Sequence, residues 1–240
     1  MFRAAAQGKA LEFDTDGVIG GNEVFKDRET GSRWQQSSLE AISGPLKGDH
    51  LALYPFLLTT WDEWRKQHPD TLVLKPLPGY ADRLADMNKI ISQGIVGVSG
   101  PAPKGAFSKD NRLQPRDTIV GLEAGGEAKA YPMSALQRAR VVNDIVGGSR
   151  VLIVHQPASD TTTAFVAEAG SRKLNFQSAD AEADKLIDLE THSTWNAYGV
   201  CLAGPMKGTR LKPLILEPEF WFAWSEFHPN TGLYSSSDAR

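Results

Sequence analysis

Gly204-Pro205-Met206-Lys207-Gly208, then Leu211, Phe220-Trp221-Phe222-Ala223-Trp224 and His228-Pro229-Asn230-Thr231, repeat an earlier part of the same chain. The earlier copy is Gly44-Pro45-Leu46-Lys47-Gly48, Leu51, Trp61-Asp62-Glu63-Trp64 and His68-Pro69-Asp70-Thr71, with every pair 160 residues apart. Upstream, Glu29-Thr30-Gly31-Ser32-Arg33-Trp34 answers Glu190-Thr191-His192-Ser193-Thr194-Trp195 at a spacing of 161. All six tryptophans fall into three pairs. Turns and indoles repeated at a fixed spacing imply one module used twice. The reading is therefore a mainly β protein with short helices (α+β), built as two pseudo-repeated modules packed together.

Within a copy, Gly-Pro-x-Lys-Gly suits a tight turn, because Pro presets φ at one corner and Gly relieves another. Its glycine spacing does not match a phosphate-cradling loop. Thr59 or Thr60 can cap a short helix whose first turn holds Asp62 and Glu63, facing the positive end of the helix dipole. Trp61 and Trp64, three apart, share one face, and His68-Pro69 stops the helix. In the second copy Pro218 stands near the first helical position, and Phe220, Trp221, Trp224 and Phe227 make an almost wholly aromatic face. Such a stripe reads as core rather than as a ligand platform. The second helix is thus expected to be buried more deeply than the first, or to cover a partner.

Bulk properties exclude several classes. The chain has 240 residues, 41% hydrophobic and 23% charged, as ordinary soluble globular proteins do. A net charge of −3 without a dense Lys/Arg run argues against nucleic acid as a partner. No apolar run approaches the ~20 residues of a transmembrane segment. Met1 to Lys9 contains no hydrophobic stretch of the kind a signal peptide requires, so the compartment is left open. A single cysteine, Cys201, excludes an internal disulfide and any Cys-x-x-Cys motif.

Taken in order, residues 10–36 read as strands and turns, with Gly31 at positive φ in a hairpin loop. Residues 1–75 form an incomplete first module, and 76–117 a Pro/Gly-rich connector with one helix near 80–92. Residues 118–240 form a complete second module. There Gly125-Gly126 joins two strands, a helix follows near 132–138, and Val141-Val142 and Val151 to Val154 bracket Gly147-Gly148 as a second ribbon. Residues 156–189 read as polar and irregular.

With these pieces in place, the chain resembles the bacterial domain-of-unknown-function family numbered 3179. The resemblance rests on Gly125-Gly126-Glu127-Ala128-Lys129-Ala130-Tyr131-Pro132, Val142-Asn143-Asp144-Ile145-Val146-Gly147-Gly148, Asp27 to Trp34, both Gly-Pro-x-Lys-Gly turns and both Trp-x-x-Trp…His-Pro-x-Thr elements. It implies an exported bacterial protein and carries no assigned activity. The family pattern has a hairpin, a Val-Asn-Asp run and a Cys-x-x-Cys-Gly segment ahead of the equivalent of Leu11, all of which this chain lacks. The second module has His155-Gln156-Pro157-Ala158-Ser159 after its apolar strand, and His192 stands where the family has glycine.

Residues present in both copies are read as framework, so Glu29 and Ser32 belong to turn chemistry. Unpaired polar residues are the better candidates for a site. Asp144 and His155 are the candidate catalytic pair, either as general base or as metal ligands at a strand end. Asn143 and, although they recur as Glu29 and Ser32, Glu190 and Ser193 are candidate ligand contacts. His155 and His192, with Asp144, could hold a divalent metal with open positions, although nothing in the sequence requires one. Three functions follow. The first is a binding or accessory protein with a cleft between modules, taking a small molecule or a protein. The second is a metal-assisted or hydrolytic enzyme using Asp144 and His155. The third is a structural module that self-associates through an exposed strand edge.

Overall fold

A computed structural model of the chain describes residues 1–75, 77, 79–80, 106 and 108–235. The helix expected near 80–92 lies, beyond Tyr80, outside the described residues. Among the described residues the protein is mainly β, with four antiparallel or mixed sheets, two short ribbons and three seven-residue helices. No helix among them is long and apolar enough to cross a membrane.

The centre of the second half is β10 (Ser149–Gln156), flanked in antiparallel register by β9 (Val141–Val146) and β11 (Thr161–Val166). Its Val151-Leu152-Ile153-Val154 run is apolar without alternation because both of its faces are covered. Val151 and Ile153 enter one apolar cluster with Val120, Leu122, Tyr131 and Leu136. Leu152 and Val154 enter another with Phe165, Phe176, Trp195 and Leu211. One strand thus ties two core layers together, and all four residues are fully buried.

The first layer is closed by a sheet of order β18-β7-β8-β19, comprising β18 (Glu217–Phe220), β7 (Thr118–Ala124), β8 (Glu127–Pro132) and β19 (Gly232–Leu233). Helix α2 (Met133–Ala139) follows β8 directly and buries Ala135 and Leu136. The second layer is closed by the meander β14 (Phe176–Ser178), β15 (Lys185–Asp188), β16 (Thr194–Asn196) and β17 (Cys201–Ala203). In the first half an equivalent meander runs β3 (Phe13–Ile19), β4 (Asn22–Asp27), β5 (Arg33–Gln35) and β6 (Ala41–Ser43), around its own Trp34-centred cluster. Each meander follows a short ribbon, β1 (Ala5–Ala6) with β2 (Lys9–Ala10) and β12 (Glu168–Ala169) with β13 (Arg172–Lys173).

Two expectations change. Residues 156–189 are not irregular: they carry β11 to β15, whose polar residues alternate with core residues or face solvent. Pro218 is not at a helix start but within β18, an edge strand, where a missing N–H costs no sheet bond. Helix α3 is Trp221–Phe227.

That helix and α1 (Trp61–Gln67) show how much environment differs between matched sequences. Both end at a histidine whose backbone N–H bonds the carbonyl three residues after the helix start, Trp64 or Trp224. Trp224 Nε1 donates to Thr231 Oγ1 at 2.8 Å, and Trp64 Nε1 to Thr71 Oγ1 at 3.1 Å. Helix α3 buries Trp221 to Ser225 against β7, whereas α1 buries nothing, with Trp61 49% and Trp64 37% exposed. The second helix is the deeper one, as its composition suggests, while the indoles of the first are not core. Gly121 makes the difference possible: a Cβ there would stand 2.2 Å from the Trp224 ring.

Candidate functional site

The residues that recur at a spacing of 161 form a closed hydrogen-bonded loop in each half. Asp188, at the end of β15, is fully buried. It accepts from Trp195 Nε1 at 2.8 Å, Thr191 N at 2.5 Å, Thr191 Oγ1 at 2.8 Å and Ser193 N at 3.1 Å. Asp27 is buried alike and accepts from Trp34 Nε1 at 2.8 Å, Thr30 N at 2.6 Å and Thr30 Oγ1. Burial pushes both carboxyls up, but the indole and threonine donors outweigh it and hold both below the usual carboxylate range. Ser32 and Ser193 complete the loops by accepting from Leu46 N and Met206 N in the following turns. Gly44 and Gly204, at φ 93° and 96°, sit where a Cβ would meet the Cα of these serines.

The expected site residues distribute as follows. Ser193 belongs to the loop just described, and Glu190 staples the loop start by accepting from Asn175 N at 2.9 Å and Asn175 Nδ2 at 2.8 Å. His192 is exposed at φ 55°, the left-handed position that Gly31 fills in the first copy. Asn143 ties β9 to β14 through a reciprocal pair with the Phe176 backbone, both bonds at 2.8 Å. Asp144 faces the first core layer, 2.8 Å from Lys129 Nζ and accepting from Tyr131 OH at 2.8 Å. His155 is 1% exposed; its Nδ1 lies 3.0 Å from Thr162 Oγ1 and its Nε2 3.7 Å from Asp160 Oδ1. Burial, with help from Arg140 and against Asp160, keeps its imidazole below the ordinary histidine value.

Asp144 pairs with Val151, four residues along β10 from His155. At ~3.3 Å per residue the two side chains share a face but stand about 13 Å apart. Among the described residues no three His, Cys, Asp or Glu side chains gather closely enough to hold a metal ion.

Beside His155 the first core layer opens into a cavity of about 400 Å³. Its walls are Val120 and Leu216 from the core, Thr118 and Ile119 of β7, Pro218 to Phe220 of β18, and Phe56 and Leu58 of the first half. Both polar partners of His155, Asp160 and Thr162, line it as well. The first half is fastened to the second by Ser37 Oγ donating to both Glu219 oxygens at 3.1 Å, a Thr161–Thr59 hydroxyl bond at 2.8 Å and Tyr198 OH donating to Glu63 at 3.0 Å.

Glu219 is the unusual group. Burial, then the neighbouring Glu217 charge, push its carboxyl up to about 8, against the pull of the Ser37 hydroxyl. At neutral pH it is mostly a neutral acid, able to donate or to give up a proton. It was missed in the sequence because Glu217-Pro218-Glu219-Phe220 looked like a helix approach. The available signal was two carboxylates set two apart in the otherwise apolar Leu214–Phe222 run, hence on one face of an edge strand.

A family model described as "Protein of unknown function (DUF3179)" matches residues 1–231. No curated protein and no solved structure matches the chain.

Proposed function

Because the chain belongs to the DUF3179 family, whose description assigns no activity, we propose its function from the geometry: it is a binding or accessory protein. In this reading residues 1–75 and 118–240 are two pseudo-repeated modules joined by 76–117, and the cleft between them takes a small, largely apolar molecule. The cavity supports this directly. It has the size and the mix of apolar wall with few polar groups that ligand sites have. Both halves contribute to it, Phe56 and Leu58 from one and β7 and β18 from the other. Titration of the full chain with 1-octanol, followed by isothermal calorimetry, tests it. Saturable binding that disappears in Thr118→Trp, where an indole fills the cavity, is the expected result. No saturable binding up to the solubility limit refutes the reading.

Catalysis is the second reading, and what favours it is a largely buried carboxyl, Glu219, held by the Ser37 hydroxyl where the two halves touch and raised above the usual carboxylate value, which suits general acid–base work. Here Glu219 is the acid–base group, and His155 acts only from behind the wall through Thr162. Hydrolysis of p-nitrophenyl butyrate that vanishes in Glu219→Gln supports it; wild-type rates equal to buffer oppose it.

A further inference from the structure

Helices α1 and α3 are one device in two settings. Their caps agree in backbone angle, φ −72° ψ 154° at Thr60 against φ −84° ψ 147° at Phe220, and φ −128° ψ 67° at His68 against φ −125° ψ 65° at His228. In both, the histidine ring lies over the second tryptophan, with centroids 4.0 Å apart for Trp64 and His68 and 3.7 Å for Trp224 and His228. The two units thus share a local geometry. What differs is the cover.

In the second half that cover is one contiguous stretch, residues 108–132. Gly121 of β7 lies against the Trp224 ring, where a Cβ would clash, and Ile119 and Ala130 join Trp221 and Trp224 in one buried cluster. Trp221 Nε1 donates to Asp110 O at 3.0 Å, the Arg112 guanidinium stands 5.2 Å over the Trp221 ring, and His228 Nε2 is 2.7 Å from Glu123 Oε1. Strands on either side of the helix hold the hairpin at both edges, β18 antiparallel to β7 and β19 parallel to β8.

The first half has the helix and both flanking segments. By the spacing of 160, Leu57 to Thr60 stand where β18 is and Leu72 and Val73 where β19 is, yet neither segment pairs with a strand among the described residues. Leu72 is 95% and Leu74 91% exposed, and Leu58, Trp61 and Trp64 are exposed as well. Large apolar side chains gathered this way mark an interaction surface, and the second half shows the shape that fills it. Bonds from Thr161 to Thr59 and from Tyr198 to Glu63 fix the unit to the second half while leaving its indoles exposed. A second copy of the chain is a poor source of the hairpin, because its own α3 already occupies β7 and β8.

We propose that the face carrying Trp61 and Trp64 docks a β-hairpin of another protein chain, its first strand antiparallel to residues 57–60 and its second parallel to residues 72–74. Main-chain bonds at the two edges supply affinity, as in other cases of strand addition. Specificity comes from a glycine beneath Trp64, since any Cβ there meets the indole, and from a carboxylate two residues later that meets His68 as Glu123 meets His228. Only Leu58 belongs both to this surface and to the apolar cavity, and neither reading rests on the other.

The probe is a synthetic peptide of residues 108–132, which contains no tryptophan, added to the full chain. A second version, Val120→Cys with Tyr131→Cys, is closed by a disulfide across a strand pair that faces away from the helix, which lessens the ordering that binding requires. Trp34, Trp195, Trp221 and Trp224 are fully buried, so acrylamide quenching reports on Trp61 and Trp64. Quenching should fall at least about twofold on saturation with the closed peptide. By calorimetry, Trp64→Ala in the chain or Gly121→Val in the peptide should weaken binding at least about tenfold. No saturable binding by either peptide up to about 1 mM, or a Gly121→Val peptide that binds as tightly as its parent, overturns the proposal. So does a chain that sediments as a dimer and becomes monomeric in Trp64→Ala, which assigns the face to a second copy.

Discussion

Replacing Asp188 by alanine removes one acceptor and strands three donors at once. Trp195 Nε1, Thr191 N and Ser193 N all lose their partner, while Thr191 Oγ1 keeps Ser193 Oγ at 2.7 Å. Trp195 and Ser193 are fully buried, so water reaches these groups poorly. A buried donor left unmade costs about 1–3 kcal/mol, and neighbours in one network do not add fully, which gives about 4 kcal/mol for Asp188→Ala. Asp27→Ala strands two such donors, Trp34 Nε1 and Thr30 N, and should cost about 3 kcal/mol. Asparagine retains one acceptor oxygen and should cost about half as much at either position. Both carboxyls are held below the ordinary value in the folded chain. Their contribution is therefore complete above the unfolded aspartate value of about 3.9 and lost as pH falls through the lower folded one. Urea unfolding followed by tryptophan fluorescence at pH 7 and pH 3 measures all of this. A cost under about 1 kcal/mol for either alanine variant at pH 7, or an Asp188→Asn deficit that does not shrink at pH 3, refutes the assignment of these loops as framework.

Gly121→Ala drives a methyl into the Trp224 ring and should destabilise by about 3 kcal/mol in thermal unfolding, whereas Gly126→Ala meets nothing and is limited to the strain of φ 81°, about 1 kcal/mol. Trp224→Ala should cost about 4 kcal/mol and Trp64→Ala under about 1 kcal/mol, a contrast readable from the same melts. Glu219→Gln should stabilise by about 2 kcal/mol at pH 8. The unfolded carboxyl ionises near 4.3 while the folded one keeps its proton to about 8, and partial exposure trims the effect. By calorimetry the two proteins should converge at pH 4. Lys129→Met leaves Asp144 without its cation in a largely covered place and should cost about 2 kcal/mol, detectable by urea unfolding.

The mainly β architecture and the three described helices were legible because local rules govern them. Thr60 caps α1 through its hydroxyl to Glu63 N, Gly31 takes φ 72°, and the Gly125-Gly126 and Gly147-Gly148 pairs turn their ribbons at positive φ. Less legible was anything decided across space. The spacing of 161 also lands Asp27 on Asp188, yet the more conspicuous Glu29 and Glu190 drew attention as the recurring acids. Only coordinates show that the aspartates receive the indoles. His155 was singled out by its place at a strand end, and it does lie behind the cavity through Thr162 and Asp160. Glu219 owes its raised value first to burial, which the local sequence does not show, and then to Glu217.

The duplicated loops also bear on how the chain reaches its native state. Asp27 and Asp188 present the same acceptor geometry to the same donors, so each loop is a competent receptor for the other's indole until the meanders are complete. Wrong pairings between Trp34 and Asp188, or Trp195 and Asp27, bury the same groups and satisfy the same bonds. They are disfavoured by distance along the chain, since each aspartate and its own indole are seven residues apart, and by what surrounds them: Phe13 edge-on to Trp34 in one half, Phe176 edge-on to Trp195 in the other. Internal likeness thus converts a stabilising motif into a kinetic decoy, one that local contacts within each half defuse when they form before the halves meet.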